Sequence, residues 1–201
     1  MAEDPKENIL NAAADEFSEK GKAGARMQAI ADKAGVNKAM LNYYFTSKDQ
    51  LFYAVMKKML TEAQESALNE LKDIDDAREF IHEFVRHQQD KMISNPSWIK
   101  LIMQNYLHGD AETIKLLKDD KLFSFFFSKL KRFSDRGEIR VDKISHLIML
   151  IMGINLVSIM AHSDFKLIVD EEMKKDMELK DFLQTHQEVL IDVLENGLFT
   201  H

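Results

Sequence analysis

The pattern of apolar and polar positions is helical along almost the whole chain. Ile9, Leu10, Ala13 and Phe17 fall on one face of a first helix, which Pro5 can open and Gly21 can close. The stretch 27–44 then reads as two short helices about a sharp turn. Met27, Ile30 and Ala31 form the apolar side of the first, and Gly35 supplies a residue that tolerates positive φ. Val36 plugs the corner and Asn37 caps the second helix, while Met40, Leu41 and Tyr44 supply its inner side. Thr46 and Ser47 interrupt the pattern and can cap a long helix from Lys48 to about Leu71, with Leu51, Phe52, Val55 and Met59 inward. The excess length of that helix predicts that its far end packs against the rest of the chain.

Past the polar break at 72–76, Phe80, Ile81, Phe84, Val85 and Met92 mark a helix that ends before Asn95-Pro96. A mostly apolar helix from Pro96 to Gly109 carries Trp98, Leu101 and Ile102. A long amphipathic helix is expected over about 111–134, stopped by Arg136-Gly137-Glu138. The most apolar helix is expected over 143–162, segment 164–176 is ambiguous, and a last helix covers about 179–195 with Asn196-Gly197 as its stop. The fold class is therefore all-α: an N-terminal three-helix helix-turn-helix head in 1–50, joined by a long helix to a larger helical domain in 51–201.

Charge changes the meaning of the head. The chain carries a formal net charge of −7, which by itself argues against nucleic acid. Between residues 20 and 48, however, Lys20, Lys22, Arg26, Lys33, Lys38 and Lys48 face Asp32 alone. A phosphate backbone responds to that local field, and a second helix of this kind enters the major groove of double-stranded DNA.

Composition removes other classes. There are no cysteines, so disulfides and thiolate metal sites are excluded, and a reducing cytoplasm is the expected location. The apolar run 147–161 is too short to span a bilayer comfortably and contains Asn155 and Ser158, so no membrane association is expected. No close histidine pattern, glycine-rich phosphate loop or nucleophile elbow is present. The expectation is a non-enzyme with no catalytic residues, metal or cofactor.

Two late helices carry surplus apolar faces. Leu147, Ile151, Ile154 and Met160 form one side of the 143–162 helix, and Ile148, Met152, Leu156 and Ile159 another. The last helix has Phe182, His186, Val189, Leu190 and Val193 on one face and Leu183, Ile191, Leu194 and Leu198 on a second. Two such helices from each of two chains would close a four-helix interface, so a homodimer is expected. Two heads could then read a palindrome.

The head also resembles the TetR family of bacterial transcriptional regulators. The resemblance rests on Ile9-Leu10-Asn11-Ala12-Ala13, Phe17, Gly21, Ile30-Ala31, Ala34-Gly35-Val36 and Phe45-Thr46-Ser47-Lys48-Asp49-Gln50-Leu51, and covers about fifty residues. It implies a homodimer bound to an operator, commonly as a repressor, and released by a small-molecule effector in the larger domain. It also implies phosphate contacts for Tyr43 and Lys48. Arg26 stands where the family commonly has a threonine, and Asn42 where tyrosine is frequent, so a relative's operator cannot be copied.

The expected phosphate contacts are Arg26, Tyr43, Thr46 and Lys48, aided by the first amides of the long helix. The expected base readers are Gln28, Asn37, Lys38, Ala39 and Asn42: lysine for guanine, the amides for adenine, the alanine for a thymine methyl. Candidate effector-lining residues are Trp98, Met103, Tyr106, Phe123, Phe127, Met152 and Asn155. They predict a mostly apolar ligand with one or two polar groups. The competing expectation is a helical interaction or architectural protein without ligand-controlled DNA release.

Overall fold

The structure, a computed structural model, describes residues 4–94, 96–118, 121–139, 147, 149–151, 153–154, 157 and 179–199. The named elements among them are all helices: α1 (Pro5–Gly24), α2 (Met27–Lys33), α3 (Lys38–Tyr44), α4 (Lys48–Leu71), α5 (Ala77–Ser94), α6 (Pro96–Leu107), α7 (Ala111–Lys118), α8 (Lys121–Asp135) and α9 (Leu179–Leu198). Described positions between 147 and 157 are helical as well. The all-α expectation, with a helix-turn-helix head and a long helix leading onward, is met. No helix among the described residues is long and apolar enough to cross a membrane.

Helix ends follow local chemistry. Asp4 caps α1 by accepting from the Lys6 amide at 3.0 Å, and Pro5 occupies the first helical position, where no amide is needed. Gly21, at φ 68°, puts a kink into α1 at the expected stop, and the chain resumes helical geometry as far as Gly24. The helix expected over 111–134 is represented by α7 and α8; positions 119 and 120 between them lie outside the described residues.

Packing divides the chain into two compact units. The first comprises Met1–Ala63 with Ser97–Asp119, and the second Gln64–Pro96 with Asp120–His201. In the first unit α1, α2, α3 and the start of α4 enclose Ile9, Phe17, Ile30, Leu41 and Phe52, and α6 adds Trp98, Leu101 and Ile102 to the same core. Phe17 meets Phe52 edge-on at 5.1 Å, and Trp98 lies 6.3 Å from Phe52. A head of three helices buries too little apolar surface to be robust; the α6 residues enlarge its core.

The second unit packs α5 against α8 and α9. Phe80 and Phe84 stack on Phe126, while Phe133 meets Phe80 at 61°. Leu190, Leu194 and Leu198 of α9 are buried there, together with Phe199, whose backbone bridges to Ile139. The expected stop of the last helix at Asn196-Gly197 is corrected: α9 continues through it to Leu198. A glycine costs a helix about 1 kcal/mol, whereas burying Leu198 and Phe199 returns more. The side-chain amide of Asn196 donates back to the Asp192 carbonyl at 2.9 Å instead of ending the helix.

The inner and outer faces of the late helices also differ from expectation. Leu147 and Ile151 are buried and Ile154 packs beside them, as expected of one side. On α9, Leu194 and Leu198 point into their own unit, not outward, and Val189 and Val193 are the exposed pair. Met149, Leu150 and Val157 are exposed too. Ile148, Met152, Leu156, Ile159 and Met160 lie outside the described residues.

Candidate nucleic-acid interface

The turn between α2 and α3 is built by four consecutive residues. Gly35 adopts φ 67°, a conformation that a side chain would strain. Its amide bonds to the Asp32 carbonyl at 3.2 Å, and the Val36 amide reaches back to Ala31 at 3.0 Å. This paired closure satisfies the last carbonyls of α2 and turns the chain sharply. Val36 then packs on the head core, and the Asn37 side chain caps α3 by accepting from the Met40 amide at 2.8 Å.

α3 is held by one fully buried residue, Leu41, with Tyr44 half-buried beside it. At about 100° per residue, everything opposite Leu41 faces outward. Lys38, Ala39, Asn42 and Tyr43 are exposed there, Tyr43 at 82%. Met40, expected in the core with Tyr44, is instead 39% exposed. The reason is geometric: Leu41 and Tyr44 supply the packing of α3 on the head core, and Met40 lies about 100° round the helix from Leu41.

The remaining expected contact residues sit around this helix. Arg26 is exposed at the N-cap of α2, without capping it by its side chain. Gln28 is exposed but donates to Asp32 at 2.8 Å, so base reading requires it to exchange that bond. The Asn37 oxygen is occupied by its cap. Thr46 is exposed, and both its amide and its hydroxyl donate to the Gln50 side chain, at 2.8 and 3.1 Å. Ser47 in turn accepts from the Gln50 amide at 3.1 Å, so the start of α4 is closed reciprocally. Fewer α4 amides are thus free than the sequence implied.

Lys48 has an unanticipated structural task. Its ammonium donates to the carbonyls of Ala23 at 3.0 Å and Ala25 at 3.2 Å, tying the start of α4 to the end of α1. An ammonium has three donors, so one is left to face a phosphate. The same end of α1 is fixed from inside by Glu16, which is almost fully buried. Both Glu16 oxygens accept from Lys20 at 2.8 Å, and one takes the Arg26 amide at 3.3 Å. The bond from Lys20 lowers the Glu16 pKa, burial opposes this, and the Arg26 amide lowers it further. Lys22 donates to Tyr53 at 3.1 Å, and Tyr53 donates to Asp110 at 2.6 Å. Asp110 caps α7 through the Thr113 amide and holds its hydroxyl.

The effector candidates fare differently. Trp98 is buried in the first unit's core and Met103 packs against it, so both serve as core there. Tyr106, in the same unit, is 45% exposed; Phe127 of α8 is exposed in the second. The Phe123 side chain, Met152 and Asn155 lie outside the described residues.

A pair that the sequence reading missed lies in the second unit. Its helix α5 buries Phe80, Ile81, Phe84 and Val85, and the same inner arc continues into His87 and Gln89, also buried. The His87 Nδ1 lies 2.7 Å from a Glu70 carboxylate oxygen, and Nε2 has no hydrogen-bond partner. The bond to His87 holds the Glu70 pKa down against the effect of burial, so this carboxylate is an ionised acceptor and the Nδ1 carries the proton. The signal was present in the helical spacing Phe80, Phe84, His87, which puts the histidine on the apolar side of α5. Among the described residues no cluster of three or more His, Asp or Glu side chains is arranged to hold a metal.

A capped second helix, presented outward beyond a glycine turn and set in locally basic surroundings, defines a DNA-binding head of the helix-turn-helix class. The family profile for "Bacterial regulatory proteins, tetR family" matches residues 9–55. Over 55 residues the chain is 49% identical to the HTH-type transcriptional regulator RutR of Escherichia coli K12, covering 27% of this chain and 26% of that protein. It is 29% identical over 108 residues to the HTH-type transcriptional repressor NicS of Pseudomonas putida, covering 54% and 51% respectively. The chain thus spans about half the length, or less, of these curated relatives. A transcriptional regulator of Saccharomonospora viridis, solved in complex with choline, shares the fold over 98% of both chains, with a TM-score of 0.75 and 18% identity. Residues 9–55 thus carry the N-terminal domain of the TetR family of bacterial transcriptional regulators.

Proposed function

We propose that this chain is a homodimeric, sequence-specific transcriptional repressor, which binds a palindromic operator and is released from it by a small molecule. Residues 1–50 read DNA; residues 51–201 take the effector and form the dimer. The observation that carries the reading is the outward arc of α3, where Lys38, Ala39, Asn42 and Tyr43 are exposed on a helix anchored only through Leu41 and Tyr44. Lys38 and Asn42 supply donors for guanine and adenine, and Ala39 fits a thymine methyl. Arg26, Tyr43, Thr46 and the third donor of Lys48 position the head on phosphates. Gln28 and Asn37 join the base readers after exchanging their present bonds.

The exposed Val189 and Val193 of α9, with Met149, Leu150 and Val157, support the dimer, since apolar side chains left in water favour burial against a second copy. The effector is mostly apolar and carries one polar group. His87 supports that group, because its buried Nε2 presents an unused lone pair when the ring is neutral. Ligand binding favours one placement of the two heads over another and so lowers operator affinity.

Selection of genomic fragments by the purified chain, followed by sequencing, tests this reading. A short palindrome with half-sites about one helical turn apart is expected. Retention of fragments without sequence preference would leave an architectural protein, and no retention would leave a helical interaction protein.

A further inference from the structure

We propose that Met40 is a specificity-determining residue that seats its side chain against the C5 methyl of a thymine in the operator. The inference rests on the DNA-binding reading above and adds to it a base contact. Viewed down α3 with Leu41 inward, Ala39 and Tyr43 lie opposite, Asn42 occupies one flank of the outward arc and Met40 the other. Met40 is therefore part of the outward surface, 39% exposed, and the buried core of the head closes without it.

Its backbone is fixed where its side chain is not. The Met40 amide is the one that Asn37 caps, at 2.8 Å, so its Cα is pinned in the first turn of α3. That turn of a recognition helix lies nearest the base edges. The side chain beyond it has three rotatable bonds and a polarizable sulfur that adapt to the surface they meet. On the opposite flank Lys38 and Asn42 are hydrogen-bonding residues, so Met40 adds a long apolar contact on its own side of this surface. In the major groove the matching apolar feature is the thymine methyl, which no other base carries. Ala39, with a shorter reach, cannot make the same contact from its different direction on the helix.

The test uses the full-length protein and the operator recovered by fragment selection. Each thymine is replaced in turn by deoxyuridine, which removes only the methyl. Wild type is expected to lose about fourfold in affinity at one thymine per half-site, the value of one buried methyl. In Met40→Ala and Met40→Gln that sensitivity is expected to vanish at the same position, while other positions keep theirs. Met40→Gln retains the length of the side chain, so it serves if the alanine variant folds poorly by circular dichroism. An unchanged deoxyuridine profile in a folded Met40 variant overturns the proposal, as does a wild-type profile with no sensitive thymine. A failure of wild type to select any sequence is a different result, and it removes the DNA-reading function itself.

Discussion

Buried polar side chains in the two compact units can be held in opposite ways, as Glu16 and His87 show. In the first, Glu16 is surrounded by donors from Lys20 and the Arg26 amide, and the Thr113 hydroxyl is held by Asp110. In the second, His87 has one nitrogen on Glu70 and the other without a partner. A buried polar group that is satisfied fixes geometry, whereas one left open costs stability until something binds it. Glu16 thus fixes the junction of α1 and α2, and His87 holds an unused hydrogen-bonding capacity in the interior of the second unit.

Replacing each group by an apolar one gives the sharpest contrast. Glu16→Leu strands the Arg26 amide and leaves Lys20 unpaired, and should destabilise the protein by about 1–3 kcal/mol in a denaturant titration. Operator affinity should fall with it, because α2 begins at Arg26. A loss below about 0.5 kcal/mol would mean that water replaces the carboxylate.

Acid separates the units next. The carboxyls of Glu16 and Asp110 both have lowered pKa values, through bonds from Lys20 and from Tyr53 respectively. Their stabilising contribution is complete above the ordinary values of 4.5 and 3.8 and is lost only as pH falls through the lowered ones. In the second unit, burial lowers His82, with Arg78 and Arg86 adding to the effect, and burial lowers His186. Glu195 lies 2.7 Å from His82, but Arg78 already neutralises that carboxylate. These histidines contribute above their ordinary value of 6.5 and lose that contribution as pH falls from there toward their lowered values. Hydrogen exchange should therefore show α5 and α9 losing protection as pH falls from 6.5 to 4.5, while α1, whose Glu16 titrates below that range, keeps its own. Equal loss in both units over that range would contradict the contrast.

The smallest expected effect completes the comparison. His87→Phe removes an open polar atom and leaves Glu70, whose side chain is 59% exposed, to water. Stability should change by less than about 1 kcal/mol, while a ligand that shifts operator affinity in wild type should lose that effect. A large destabilisation in thermal melts would show that His87 is a structural group.

The local parts of this molecule were legible from sequence because each depends on a few adjacent residues. Pro5 opens a helix, Gly21 interrupts it where the sequence predicts a stop, and Ala34-Gly35-Val36-Asn37 turns and caps, all through bonds spanning no more than five residues. The same holds for the basic cluster, which is a property of spacing. The outward placement of Ala39, opposite Leu41, follows from helical period, and the exposure of Lys38 and Asn42 agrees with their polarity.

Decisions between distant segments were not legible. Asn196-Gly197 has the composition of a stop, yet α9 passes through it because Leu198 and Phe199 find a core that α5 and the segment at Ile139 supply. Trp98 reads equally well as ligand-lining or core, and the choice was made by Phe52, forty-six positions away. Met40 resembled an inner residue until the position of Leu41 left it outside, and His87 resembled a surface residue until α4 brought Glu70 to it. Sequence by itself determined where helices begin, kink and turn, since those energies are set within one or two turns of chain. Tertiary structure decided which side chains are spent on cores and which are left for a partner, because burial depends on what the rest of the chain places opposite.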